Sequence, residues 1–329
     1  MFKRLPLFLF LALFFPAGEV LGQGSLFYLE AQAVGGYSAA RDRWIFYSLD
    51  QSEAMQKPSL GFDYVQRLSG ETGDFAVLAI QGRLTLNASG DRTLEPQIYN
   101  AYIKFKLALA DLWAGHNRPA LGLGSVFDTH SHLLPALAMY DYGFDRDWGV
   151  GLGRDFARGN WAVSLTAGSG MPLRLKGNYL FSGRLGIGVL SRSNSSFGLS
   201  AAYGKTLETM GYDILSADPR PLRLVGADLS YLWNNVENRL DVMVGKKFGE
   251  DALALFWRLG INLLQEERLK WEIQPIFQKQ SGEAWLNFST GLTFLATADL
   301  TLRTMYTYDG EMKDSRLVFQ AYYYKRILF

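Results

Sequence analysis

The 329-residue sequence contains no cysteine. That excludes a disulfide framework, thiolate metal sites and a cysteine nucleophile. Proline is scarce at ten residues and histidine scarcer at three, which leaves few imidazoles for any acid–base chemistry. An excess of either charge is missing as well: 33 Lys and Arg stand against 32 Asp and Glu. A chain so balanced is not built to hold nucleic acid through phosphate contacts. Long hydrophobic runs are also lacking. The one continuous apolar stretch, Leu5 to Phe15, has eleven residues and is too short to cross a bilayer comfortably as a helix. What is plentiful is glycine, at 34, and aromatic residues, at 14%. That pairing suits a sheet protein with an apolar outside.

The first residues read as a targeting segment. Lys3 and Arg4 precede the apolar stretch, Pro16 breaks it, and Val20-Leu21-Gly22 stands before Gln23. This is the anatomy of a secretory signal peptide over residues 1–22. Without Lys3, Arg4 and Glu19 the remainder, 23–329, holds thirty-one residues of each charge. A secreted, cysteine-free chain of alternating strands points to a Gram-negative envelope.

From Leu26 onward the hydrophobic period is near two. Leu253, Leu255, Trp257, Leu259, Ile261 and Leu263 alternate with Ala254, Phe256, Arg258, Gly260 and Asn262. Ala76, Leu78, Ile80, Leu84 and Leu86 alternate with Val77, Ala79, Gln81, Arg83 and Thr85. A soluble sandwich shows the same alternation. These segments, however, run longer than the usual soluble strand, a length that suits a tilted strand crossing a membrane. Sixteen are expected: 26–36, 59–68, 74–86, 96–107, 110–118, 147–156, 160–169, 179–190, 196–206, 221–233, 236–248, 251–264, 269–278, 284–297, 299–308 and 315–328.

The links support that count. Those at 69–73, 108–109, 157–159, 191–195, 234–235, 265–268 and 298 are short and read as periplasmic turns. Those at 37–58, 87–95, 119–146, 170–178 and 207–220 are longer and read as external loops, with 249–250 and 279–283 as short exceptions. Short turns on one side and longer loops on the other are the habit of outer-membrane barrels. At the C-terminus Leu317, Phe319, Ala321, Tyr323, Ile327 and Phe329 alternate to the last residue, interrupted by Lys325. This resembles the terminal strand of bacterial outer-membrane proteins. The resemblance implies that Tyr323, Ile327 and Phe329 form an assembly signal read by the barrel-assembly machinery.

The fold expected is therefore all-β: a transmembrane antiparallel β-barrel of about sixteen strands. In lipid every backbone amide must pair within the protein, so a sheet spans only when closed. Trp161, Trp233, Trp271, Tyr231, Tyr306, Tyr308 and Tyr323 share the apolar parity near strand ends and fit aromatic girdles at the two interfaces. A barrel this wide encloses an aqueous channel.

Two features add a family resemblance. Sixteen strands fill the chain, and the longest link, 119–146, falls between the fifth and the sixth. The run Asp111-Leu-Trp-Ala-Gly-His-Asn-Arg-Pro-Ala-Leu-Gly122 leads into it, and Phe144-Asp-Arg-Asp-Trp-Gly149 leads out. Together these resemble the sixteen-stranded trimeric porins and the phosphate-selective porin group. The resemblance implies that loop 119–146 folds inward and narrows the bore, and that the chain forms a homotrimer.

Strand parity then assigns a lumen wall. Arg67, Arg83, Lys104, Lys106, Arg184, Arg239, Lys247, Arg258, Lys270, Arg303 and Arg316 are its basic residues, against Glu30, Asp63, Asp228, Asp241 and Glu272. Such a wall favours anions weakly. Asp128, Asp141, Asp145 and Asp147 stand opposite Arg118 and Arg146 once the loop turns inward, and opposed rows of charge favour small polar solutes. The function expected is passive diffusion of small hydrophilic solutes across outer-membrane lipid, without cofactor, metal or chemistry. Two alternatives stay open. Trp285, Tyr322 and Tyr324 on the inward parity suit a substrate-specific channel for sugar or apolar solutes. Ser131 beside His130 and His132, with His116 nearby, suits a barrel hydrolase. His130 and His132 with Asp128 make a sparse metal set. Gly149-Val-Gly-Leu-Gly153 and Gly183-Arg-Leu-Gly-Ile-Gly188 lack the Lys-Ser/Thr and the helix of a phosphate loop.

Overall fold

The computed structural model describes residues 24–45, 57–71, 73–86, 94–128, 132–189, 193–264 and 267–328. The expected signal peptide 1–22, His130, Ser131 and Phe329 lie outside the described residues. The strands are β1 (Ser25–Ser38), β2 (Arg43–Ile45), β3 (Ser59–Gly70), β4 (Gly73–Leu86), β5 (Leu94–Lys106) and β6 (Asp111–Asn117). Then follow β7 (Asp147–Phe156), β8 (Gly159–Thr166), β9 (Tyr179–Ile187), β10 (Ser195–Met210), β11 (Asp213–Trp233) and β12 (Val236–Lys247). The set ends with β13 (Glu250–Leu263), β14 (Leu269–Gln280), β15 (Glu283–Leu295), β16 (Leu300–Asp309) and β17 (Asp314–Ile327).

From β3 to β17 each strand pairs antiparallel with the next. The sheet then closes on itself: β17 pairs with β1 from Phe27 opposite Ile327 to Ser38 opposite Arg316. The lower part of β1 pairs with β3, and its upper end with the short β2. β2 therefore continues the line of β3, and the barrel has sixteen staves, in agreement with the sequence periodicity. Closure leaves no edge strand, so the backbone polar groups of the wall are paired within the sheet.

Burial is inverted relative to a soluble protein. Leu60 is 69% exposed on the outside, and Phe181, Leu199, Val225, Leu255, Leu286 and Phe319 are exposed with it. On the inside Ser182, Gln274 and Thr85 have no accessible surface. An apolar belt facing out and a polar wall facing in fit hydrocarbon outside and water inside. Trp233, Trp271, Tyr231 and Tyr323 are exposed near one rim, and Tyr306 and Tyr308 near the other, as interface girdles require.

One link departs from expectation. Residues 207–220 do not form an external loop. β10 and β11 continue through them as a long hairpin whose turn is Gly211-Tyr212. Pro219, Pro221 and the loss of alternation disguise the strands in sequence. The register shifts between Thr206 and Glu208, opposite Arg220 and Ser216, which places Pro219 in a bulge, where a sheet accepts a residue without an N–H, while Pro221 keeps its place opposite Lys205. An ion pair of Glu208 with Arg220 ties the two strands across the shift.

Putting Leu255→Arg on the lipid face near the middle of β13 should destabilise the barrel by about 2–4 kcal/mol in reversible urea unfolding from lipid vesicles.

Candidate pore constriction

Strand β6 is short, and its departure begins at Gly115, whose φ is +124°. A Cβ there would sit 2.2 Å from the Ala101 carbonyl oxygen, so only glycine lets the backbone turn away from β5 at that point. The chain then crosses the interior through single 3-10 turns at Leu123–Ser125 and Leu137–Tyr140.

Apolar packing holds the segment against the far wall. Leu121, Leu123, Leu137 and Tyr142 are buried against Leu180, Leu222, Leu224, Met243, Phe256 and Ile276 of β9 to β14. Leu133 and Leu134 are buried against Val34, Met305 and Val318 of β1, β16 and β17. The inner wall therefore carries an apolar landing strip within an otherwise polar surface. Hydrogen bonds fix the register. Leu123 N–H donates to Asp241 Oδ2 at 2.9 Å, and Ala120 N–H to Ser164 Oγ at 3.0 Å. Gln274 Nε2 donates to the Pro135 carbonyl at 2.8 Å, Arg258 to the Leu134 and Pro135 carbonyls, and Lys247 Nζ to the Tyr140 carbonyl at 3.2 Å. Tyr142 Oη donates to the Leu253 carbonyl at 3.1 Å.

Charge gathers where the segment rejoins the wall at β7. Arg146 is fully buried. It donates to Asp145 at 3.1 Å, to Asp128 at 3.0 Å and to Asn100 Oδ1 at 2.8 Å, and lies 4.6 Å from the centre of the Tyr99 ring. Burial works against its charge. Asp145, Tyr99 and Asp128 more than offset that, so its pKa lies above the usual guanidinium value. Tyr99 is the extra residue where the β4–β5 register shifts, and its hydroxyl donates to Asp145 at 2.5 Å. Arg118 pairs with the same Asp128 at 2.8 Å. From Asn100 the chain of amides runs on through Gln81 to Glu30. Above this cluster the tip of the β10–β11 hairpin reaches β5, with Tyr212 Oη donating to the Ile98 carbonyl at 2.6 Å.

No family model and no curated protein sequence matches the chain. Solved structures do. The loop L8 deletion mutant of OmpT, an outer-membrane protein of Vibrio cholerae, matches with 11% identity over 92% of this chain and 99% of its own, TM-score 0.64. OmpF of Salmonella typhi, solved in complex with daunomycin, matches with 11% identity over 92% and 97%, TM-score 0.63. A mutant of the Rh. blastica porin matches with 9% identity over 92% and 99%, TM-score 0.56. The fold is that of the outer-membrane porins.

Within this porin barrel the charged residues singled out from the sequence fall into separate groups. Arg118, Asp128, Asp145 and Arg146 meet where the loop rejoins the wall, with Arg83 5.6 Å from the Tyr99 ring centre and hydrogen-bonded to Gln97. Arg239 stacks 3.6 Å from the Phe127 ring centre and pairs with Glu237, and Arg258 reaches the loop carbonyls. Arg184 is enclosed with Asp228 in a pair at 2.6 and 2.8 Å, both side chains 1% exposed. Arg303 donates to Gln320 and lies over Tyr322, while Arg316 pairs with Asp314 at 2.6 Å. Lys104 and Lys106 sit at the periplasmic end with Asp111 and Asp74, and Arg67 lies exposed on the same rim. The acids Asp111, Glu237 and Asp314, absent from the wall assigned by parity, each lie beside a basic residue. Two signals mark them: Asp111 faces Lys106 across neighbouring strands, and Glu237 and Asp314 each stand two residues before an arginine on the same strand.

The histidines take different positions. His116 is fully buried, its ring stacked 4.8 Å from that of Trp148. Burial, with Arg258 and Arg303 nearby, lowers the His132 pKa to about 3, so this imidazole is neutral near neutral pH. Among the described residues no three metal-ligating side chains come together.

Replacing Asp228 by Ala leaves the Arg184 guanidinium enclosed without its carboxylate. The expected loss is about 3–5 kcal/mol in urea unfolding. Replacing both residues together, Arg184→Met with Asp228→Leu, should restore most of it.

Proposed function

We propose that the protein is a passive outer-membrane channel for small hydrophilic solutes, with a weak preference for anions. What supports the reading is a closed sixteen-stave barrel whose interior is crossed by one loop fastened to opposite walls, with the Arg118–Asp128–Arg146–Asp145 cluster at its root. No catalytic step is part of the reading. A solute is selected by size at the loop and by the field of the charges beside it. Cations on the inner wall lower the barrier for anions. The preference is weak because Arg184, Arg239, Lys270 and Arg316 each lie beside a carboxylate, and a close pair has little field beyond a screening length of about 8–10 Å.

The reading extends to assembly. Tyr323 is exposed on the lipid side of β17, and Ile327 closes the pairing with β1 at Phe27. Both suit recognition of the last strand, with Phe329, by the barrel-assembly machinery. A homotrimer is the oligomer we favour, the solved Vibrio cholerae OmpT having been described in a trimer form.

One observation favours a second reading, a channel specific for sugar or apolar solutes. Tyr28 and Tyr324 stack at 4.6 Å and Tyr322 and Tyr324 at 6.0 Å on the inner wall near the periplasmic rim. A ladder of ring faces accepts the apolar face of a sugar. Block of the current by oligosaccharide added from that side separates this reading from the first.

Reversal potentials in planar bilayers under a potassium chloride gradient test the first reading directly. The expected sign is towards the chloride equilibrium potential; a potential towards that of potassium overturns the anion preference. The selectivity should also depend on pH. Burial raises the Asp141 carboxyl to about 6, Glu208 adds to the shift, and Lys247 and Arg220 oppose it. Below that value the group is neutral, and above it carries negative charge. The anion preference should therefore fall between about pH 5 and about pH 7, and Asp141→Asn should flatten the change.

A further inference from the structure

Between loop 119–146 and the inner wall of β10 to β17, on the external side, lies a cavity of about 450 Å³. That is the size of a site for one small molecule. Its lining falls into three chemistries. Leu133, Met139, Phe248, Met305 and Met312 give it an apolar body, and methionine adapts to ligands of varied outline.

The second chemistry is an unmet demand for acceptors. Gln278 is 1% exposed, and its Nε2 has no hydrogen-bond partner. The indole N–H of Trp285 is also buried without a partner. The two residues face each other across the β14–β15 ladder, so their side chains stand about 5 Å apart at Cβ. Two adjacent buried donors without acceptors are costly. Both residues line the cavity, and a small turn of each side chain presents its N–H to a carboxylate bound there.

The third chemistry is charge. Several ionic groups of the lining are already engaged. Arg220 pairs with Glu208, Arg316 with Asp314, and the Asp309 carboxylate caps its own turn by accepting from the N–H groups of Glu311 and Met312. Asp141, Lys247 and Glu311 remain. The half-buried Asp141 carboxyl accepts no hydrogen bond among the described residues, and Lys247 donates to a backbone carbonyl. The cavity thus offers separate points for a negative and a positive group around an apolar body.

We propose that this cavity binds a zwitterionic amphipathic solute, a free apolar amino acid, with its carboxylate on the N–H groups of Gln278 and Trp285. Its ammonium lies towards Asp141, and its side chain packs among Leu133, Met139 and Met305. The proposal deepens the channel reading by naming a solute class, and binding is measured without conduction.

Calorimetric titration of free leucine into the purified, refolded barrel in detergent tests it. Glycine lacks the side chain, isocaproate the ammonium and isoamylamine the carboxylate. Each should bind at least about tenfold more weakly than leucine. Gln278→Leu and Trp285→Phe should each weaken leucine and isocaproate by about tenfold and leave isoamylamine unchanged. Asp141→Asn should weaken leucine and isoamylamine and spare isocaproate, a pattern that general loosening of the barrel does not produce. Leucine binding no tighter than glycine overturns the proposal, as does unchanged leucine binding in folded variants. Should a variant fail to fold, the ligand series on the unaltered chain decides alone. Leucine binding without any channel conductance would leave the site standing and sink the channel reading.

Discussion

The structure depends on one constraint: in hydrocarbon a backbone amide has no partner except another amide of the same protein. The pairing of β17 with β1 meets that constraint for the whole sheet at once. Once the sheet is closed, the remaining features follow. Alternate residues face lipid and are apolar, and the others face inward and are polar. The ends of the strands carry the aromatic residues that suit a boundary between the two media. The absent cysteine and balanced charge of the sequence are compatible with this architecture, because neither a covalent staple nor a charged face is needed where closure supplies the stability.

The interior is not a plain water-filled tube. An apolar strip formed by Leu222, Leu224, Met243, Phe256 and Ile276 receives the crossing segment, and around it guanidinium and carboxylate groups meet at contact distance. Hydrophobic contact locates the loop, and hydrogen bonds to its carbonyls from Arg258, Gln274 and Lys247 orient it. The two kinds of interaction divide the work. The first is strong and indifferent to direction, and the second is directional.

Most of the barrel was legible because period two is a local property. Each strand announces its own lipid face, as Leu253 to Leu263 does, and sixteen such announcements closely anticipated the observed set. The β10–β11 hairpin was not legible, because Pro219 and Pro221 read as a link, when Pro219 falls in a bulge of β11 and Pro221 pairs in register with Lys205. The wall charges were half legible. Parity located Arg184 and Asp228 on the same face, but only their adjacency across strands turns two lumen charges into one neutral pair. The landing strip was visible in principle as apolar residues at inward positions on neighbouring strands. Read one strand at a time, Met243 or Ile276 is merely an exception to alternation.

The hairpin tip has a mechanical consequence. A closed sheet one strand thick resists stretching around its circumference, since that breaks hydrogen bonds, but it flattens easily from a circle to an ellipse. Tyr212 reaches from β10–β11 to the Ile98 carbonyl on β5, and the crossing segment ties β6 to β12 and β14. These are chords across the cylinder. They act as spokes, holding the cross-section near one shape, so that the width of the opening is set by internal ties and not by the lateral pressure of the surrounding lipid.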